Sequence, residues 1–243
     1  MKKLLLGAIV ALLPLTSMGA TVLGFQAGTG TWKHDPSGNV STDVDGVGVN
    51  ANLKSDMQLT EESEGYTYIA IEHPIPLIPN FKYVNTKLTS TGTNGTASFT
   101  FDGTSYAGTV NSTLDLTQSD FIFYYEILDN DAISLDLGLT AKQIDGKVVV
   151  NSDTTTFSGT IPMLYGAIEI GLPAGFAIVG ELSSLSFGDN KISDLSAKVT
   201  YTTDFNLGIE VGTRTQSYTI KDVDTVNANI DFSGVFAGIF FKF

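Results

Sequence analysis

Residues 205–214 read FNLGIEVGTR, and the two sets of alternate positions differ completely. Phe205, Leu207, Ile209, Val211 and Thr213 make one set; Asn206, Gly208, Glu210, Gly212 and Arg214 make the other. A period of two marks a strand, because successive side chains of an extended chain point to opposite faces. The same separation recurs along the chain. Ile133, Leu135, Leu137, Leu139 and Ala141 alternate with Ser134, Asp136, Gly138, Thr140 and Lys142. Leu195, Ala197, Val199 and Tyr201 oppose Asp194, Ser196, Lys198 and Thr200. Similar faces appear at Leu164–Leu172, Phe121–Ile127 and Leu23–Ala27, and the chain ends on Val235, Ala237, Ile239, Phe241 and Phe243. Each such segment must place one whole apolar face against a core or against lipid.

A soluble sandwich also alternates, with its polar set in water. The connections argue for a membrane barrel instead. Short links (PIPLIPN at 74–80, DND at 129–131, PAG at 173–175 and TTD at 202–204) alternate with longer polar ones, the longest being the 31-residue stretch from Asp35 to Gly65. Tight turns at one end and long loops at the other is the asymmetry of outer-membrane barrels, whose short turns face the periplasm. Four short turns and five longer connections give a closed, antiparallel, up-and-down all-β barrel of about ten strands with both ends periplasmic. The segment Phe81–Leu88 alternates poorly, so eight or twelve staves also accommodate the pattern. Candidate girdle aromatics at strand ends are Trp32, Tyr66, Tyr68, Phe81, Tyr83, Tyr165, Phe176, Tyr201, Phe205 and Tyr218.

The N-terminus agrees with export. Met1-Lys2-Lys3 precedes an apolar run, Leu4 to Leu15, and the small residues Ser17 to Ala20. That is the pattern of a secretory signal peptide over 1–20, whose twelve-residue apolar run is too short to span a bilayer as a helix. The barrel domain is then 21–243. Without Lys2 and Lys3 the mature chain carries 11 basic against 26 acidic side chains, a balance that repels nucleic acid. The chain has no cysteine, which rules out disulfides, thiol catalysis and cysteine metal sites. No cofactor or metal site is expected.

Strand parity assigns ionisable residues to the lumen: Glu72, Asp120, Glu126, Asp136, Glu169, Glu181, Asp194 and Glu210 among the acids, with Lys82, Lys142, Lys198 and Arg214 among the bases. Charges at membrane depth are costly unless paired or functional. Two arrangements satisfy them: an ion-pair plug filling a narrow barrel, or a cation-favouring pore lined by acids. Glycines 24, 28, 138, 171, 208 and 212 fall on the same face, where they widen the interior or fit the barrel's curvature.

Other motifs carry less. His34, beside Asp35 near the loop side of the first strand, is the one histidine that can serve a hydrolase site on the outer rim; His73 abuts a periplasmic turn. DVDG at 43–46 has the carboxylate spacing of part of a calcium loop without its distal glutamate. The dipeptides NG at 94–95 and DG at 102–103 and 145–146 are turn signals.

Taken together, the leader, HPIPLIPN at 73–80, FIFYYEILDN at 121–130, LDLGLTAK at 135–142 and the terminal FFKF resemble an uncharacterised family of small outer-membrane β-barrel proteins of Gram-negative bacteria. The resemblance implies the barrel and its location, and supplies no activity. A last strand built on Val235, Ala237, Ile239, Phe241 and Phe243 is similar to the signal read by the barrel-assembly machinery, which implies that machinery as a partner during insertion. The function expected is a non-enzymatic, porin-like outer-membrane protein, either structural or a narrow cation-favouring channel for small ions or solutes. A rim hydrolase using His34 and a soluble periplasmic ligand-binding β-protein are the alternatives.

Overall fold

The computed structural model describes residues 23–44, 47–101, 103–130, 132–223 and 226–243. The expected signal peptide lies outside these residues, as do Asp45 and Gly46 of the DVDG stretch. Among the described residues thirteen strands are present: β1 (Gly24–Val44), β2 (Val47–Asn52), β3 (Glu62–Glu72), β4 (Asn80–Thr86), β5 (Thr89–Phe101), β6 (Thr104–Asp115), β7 (Gln118–Asp129), β8 (Ile133–Val150), β9 (Asp153–Gly171), β10 (Phe176–Phe187), β11 (Asn190–Thr202), β12 (Leu207–Val223) and β13 (Val226–Lys242). Ten form a ring in the order β1, β3, β4, β7, β8, β9, β10, β11, β12, β13. Antiparallel pairing of β13 with β1, from Gln26–Lys242 to Thr42–Val226, closes it. Phe25 and Phe243 exchange backbone hydrogen bonds of 2.9 and 3.0 Å at the seam. A closed sheet has no unpaired edge, which is what lets strands cross a bilayer.

The remaining strands extend the wall beyond the membrane. β2 folds back on β1. The polar stretch after β4, which reads as a loop in the sequence, is the ordered hairpin β5–β6 standing on β4–β7. Leu116 N donates to Leu88 O at 2.8 Å across the step, and β6 joins β8 through Ser112–Asp115. The weak alternation of Phe81–Leu88 is explained by this step, since β4 stops at Thr86.

Where the membrane ends is written along single strands. On β8 the outward set runs Leu135, Leu137, Leu139 and then Gln143, Asp145, Lys147; the inward set runs Ser134, Asp136, Thr140, Lys142 and then Ile144, Val148, Val150. Parity is unchanged, but polarity inverts near Lys142. On β13 the outward Val235, Ala237, Ile239 and Phe241 give way to Ser233, Asp231 and Asn229, while the inward positions become Phe232, Ile230 and Ala228. The nine residues 235–243, at about 3.4 Å each and a tilt of about 40°, climb roughly 21 Å, close to the ~25 Å belt of such barrels.

The inversion has a simple cause. Within the bilayer, lipid tails already solvate Leu and Ile, so nothing drives apolar groups inward and the interior is free to be polar. Beyond it, water surrounds the wall, and burying a large apolar side chain is worth about 1.5–3 kcal/mol. The extracellular interior is accordingly a core of Trp32, Leu53, Met57, Leu59, Leu88, Val110, Leu114, Met163 and Phe232, all nearly or fully buried.

The aromatic girdle is smaller than strand-end positions suggest. Phe176 and Tyr201 pair outside at 4.9 Å, and Phe81, Tyr83 and Phe205 also face outward or lie at the surface. Trp32, Tyr66, Tyr68, Tyr165 and Tyr218 point inward instead, because they share parity with the lumenal polar set.

Candidate functional site

The lumen is organised in layers. At the periplasmic end a cavity of about 550 Å³ opens among the short turns, lined by Glu72, Glu126, Asp136 and Glu169 among others. Tyr124 Oη donates to Glu72 at 2.9 Å, and Lys242 at the rim reaches Glu169 at 3.3 Å. Glu126 and Asp136 stand opposite each other on β7 and β8.

Above this vestibule sits a charged layer enclosing only about 80 Å³. Glu181 receives Lys82 at 2.5 Å, Lys198 at 3.6 Å and Tyr165 Oη at 3.2 Å. Glu210, 1% exposed, accepts from Tyr66 Oη at 2.6 Å, Tyr68 Oη at 3.2 Å and Lys198 at 2.8 Å. Asp194 is held by Arg214 in a two-point clasp, Nε at 2.9 Å and Nη2 at 2.7 Å, with Lys142 at 3.0 Å and Gln216 Nε2 at 2.8 Å. Lys142 also meets Asp120 at 2.9 Å. Cationic heads lie over aromatic faces as well: Lys198 and Lys82 over Tyr68, and Arg214 over Trp32 at 5.1 Å.

Several of these ties cross the lumen. Arg214 Nη1 on β12 donates to Thr86 on β4 at 3.0 Å, and Tyr218 Oη donates to Gln118 on β7, the strand directly opposite β12 in the ring, at 2.9 Å. The layer is thus a lattice strung between walls. It is charge-balanced: Asp120, Glu181, Asp194 and Glu210 face Lys82, Lys142, Lys198 and Arg214. The acidic excess read from parity therefore divides by height, with the other four acids in the vestibule.

Two of the lumenal glycines, Gly28 and Gly208, do not leave open space. A Cβ on Gly28 would lie 2.4 Å from the Tyr68 ring, and one on Gly208 would lie 2.2 Å from the Phe240 ring. Each glycine is the cross-strand partner of the ring that covers it. Glycine here seats large aromatics in a narrow barrel rather than widening it.

His34 does not sit on the rim. It is fully buried just above the charged layer, 5.2 Å from the Trp32 ring and edge-on to Phe232 at 5.7 Å. Neither ring nitrogen has a hydrogen-bond partner among the described residues. Asp35 faces the other way and pairs with Lys54. The apolar outward set of β1 ends near Thr31, with Lys33 paired to Glu61 in water, so His34 lies beyond the membrane belt. Burial holds its ring well below the ordinary imidazole range, at about 4, against the pull of Glu62, Asp35 and Glu61. The side chains of the DVDG stretch fall outside those described. His73 bonds within its own turn, to Pro79 O at 3.3 Å.

Closed ring, inverted polarity and apolar belt decide the class. The chain is an outer-membrane β-barrel. Its fold superposes on the outer membrane protease OmpT of Escherichia coli with a TM-score of 0.59 at 9% identity, covering 90% of this chain and 97% of OmpT. Weaker matches include Ail, the attachment invasion locus protein of Yersinia pestis (TM-score 0.32, 10% identity, 92% and 100% coverage), and the outer membrane protein AlkL (0.35, 12%, 95% and 95%). No protein-family model matches the chain, and no curated sequence matches it. At 9% identity the likeness to OmpT is one of fold.

The lumenal tyrosines Tyr66, Tyr68, Tyr124, Tyr165 and Tyr218, with Gln118, Gln216 and Thr86, are site residues that charge-based reading of the sequence passes over. Their signal was parity: in YTYIAIE, Tyr66 and Tyr68 fall on the same face as Glu72.

Proposed function

We propose that this outer-membrane barrel is non-enzymatic and structural, closed across its middle, with cation preference confined to the periplasmic vestibule. The observation that carries the reading is Lys142: its side chain is 1% exposed, locked between Asp120 and Asp194 in the middle of the lumen. Above it the extracellular core supplies a second, apolar closure. A solute crossing the barrel would have to break both. The balanced charges of the middle layer favour no ion, whereas Glu72, Glu126, Asp136 and Glu169 give the vestibule its negative field. Catalysis finds no support in the site, since among the described residues no carboxylate or nucleophile hydrogen-bonds the His34 ring. Val235, Ala237, Ile239, Phe241 and Phe243, exposed on the outer face of the closing strand, serve as the assembly signal in this reading.

Planar-bilayer recording tests the closure: the intact protein is expected to give no steady conductance, and regular open steps would refute it. The vestibule is tested separately. A single cysteine at Thr200, in the vestibule wall, is expected to react faster with a cationic thiol reagent than with an anionic one. Equal rates would remove the cation preference.

A further inference from the structure

The turn between β3 and β4, HPIPLIPN, exposes Ile75 by 55%, Leu77 by 82% and Ile78 by 52%, and carries no formal charge from Pro74 to Pro79. Three large aliphatic side chains have no reason to stand in the periplasm. We infer that this turn is a lipid-immersed anchor, seated in the headgroup–acyl boundary of the periplasmic leaflet.

Three observations direct it there. Tyr125, a lipid-facing residue of β7, donates its hydroxyl to Leu77 O at 2.9 Å, so the turn leans over the outer wall. Beneath it the Phe81 and Phe123 rings pair at 5.3 Å on that same wall, which makes the turn continuous with the apolar belt. The vestibule, by contrast, is lined by residues of the other short turns, including Asn130, Gly175 and Thr202, and by none from His73 to Pro79. The turn therefore lies outside the mouth rather than across it. Backbone geometry adds to this. Leu77 has φ 70°, in the left-handed region where a bulky side chain is disfavoured and Gly or Asn is at ease. That conformation at the turn's tip sets the Leu77 side chain outermost. Within the turn, Asn80 Oδ1 accepts from His73 N at 3.0 Å and the His73 ring meets Pro79 O, so the loop is tied at its base. An aliphatic tip on a braced polar base is the arrangement of an interfacial anchor, whose binding scales with buried apolar area.

The test uses the full chain folded in phosphatidylcholine vesicles. Trp32 is the sole tryptophan and is buried inside the barrel, so its spectrum can be subtracted. Leu77→Trp is expected to lose emission in lipids brominated high on the acyl chain, and to resist aqueous acrylamide. Val211→Trp in the belt and Asp189→Trp in an extracellular loop set the two limits. Because the chain has no cysteine, Ile75→Cys carrying a nitroxide gives an independent reading, with collisions expected from oxygen rather than from a water-soluble nickel complex. Acrylamide quenching equal to that of Asp189→Trp would overturn the proposal. Protection from both bromine and acrylamide would overturn it too, since the turn would then be packed on protein. The result does not depend on whether the lumen is closed.

Discussion

Replacing Lys142 by methionine isolates the contribution of the charged layer. The substitution keeps volume and chain length while removing the ammonium from between Asp120 and Asp194. The two carboxylates are left unequally. Asp194 retains the two-point clasp of Arg214 and the Gln216 amide. Asp120, 4% exposed, retains among the described residues only Arg214 at 3.9 Å, too far for a hydrogen bond. Breaking a buried pair by deleting one partner costs about 3–5 kcal/mol, most of it the penalty of the charge left behind. The cost of Lys142→Met should therefore reside on Asp120, and Lys142→Met/Asp120→Asn should recover about 2–3 kcal/mol of it. Lys242→Met supplies the contrast: its pair with Glu169 is 44% and 40% exposed, and such pairs are worth about 0–1 kcal/mol. Urea unfolding from vesicles at neutral pH measures all three, followed by the loss of the fast-migrating, heat-modifiable gel band. Trp32 fluorescence serves as a second probe, since that ring lies over Arg214 in the same layer. A single variant costing less than about 1 kcal/mol, or a double variant no more stable than the single, would refute the reasoning.

Other outcomes follow from the same geometry. Gly28→Ala should destabilise the barrel by about 1–3 kcal/mol through overpacking against Tyr68, and a Tyr68→Leu background should remove most of that loss in the same urea assay. Truncation of Phe243, or Phe243→Ala, should lower the fraction of heat-modifiable protein recovered in outer membranes; normal recovery would contradict the assembly role. His34 predicts an acid sensitivity. Its folded pKa of about 4 lies below the ordinary 6.5, so the unfolded chain binds a proton that the folded chain refuses, and stability falls as pH drops from about 6.5 toward 4. In His34→Phe that part of the decline should vanish while the carboxylate-driven part below it persists, as read from urea midpoints across pH.

Much of this architecture was legible in the chain. The alternation in FNLGIEVGTR and its counterparts determines strands with one apolar face, and the short links at 74–80, 129–131, 173–175 and 202–204 point to about ten staves, which the closed ring then settles. Period two is a local property, set by the backbone of each residue, so it needs no knowledge of neighbours. The same parity sorted Glu210, Asp194, Lys142 and Arg214 onto the inner face. It did not say how high each would sit, because height depends on the stagger between strands.

Height is what the tertiary structure decided. Only the closed ring brings Lys142 of β8 between Asp120 of β7 and Asp194 of β11, turning an apparent surplus of acid into a balanced lattice above an open acidic vestibule. Only the stacking of β5–β6 on β4–β7 turns a serine- and threonine-rich stretch into part of a wall around an apolar core. The tyrosines that sequence position would place in a girdle became the lattice's hydroxyl donors, with Tyr66 and Tyr68 seated over glycines on adjacent strands. These facts depend on which residues meet across strands far apart in sequence, and on where water gives way to lipid along each one. The sequence determines the face a side chain occupies; registry and the surrounding solvent determine what that side chain meets there.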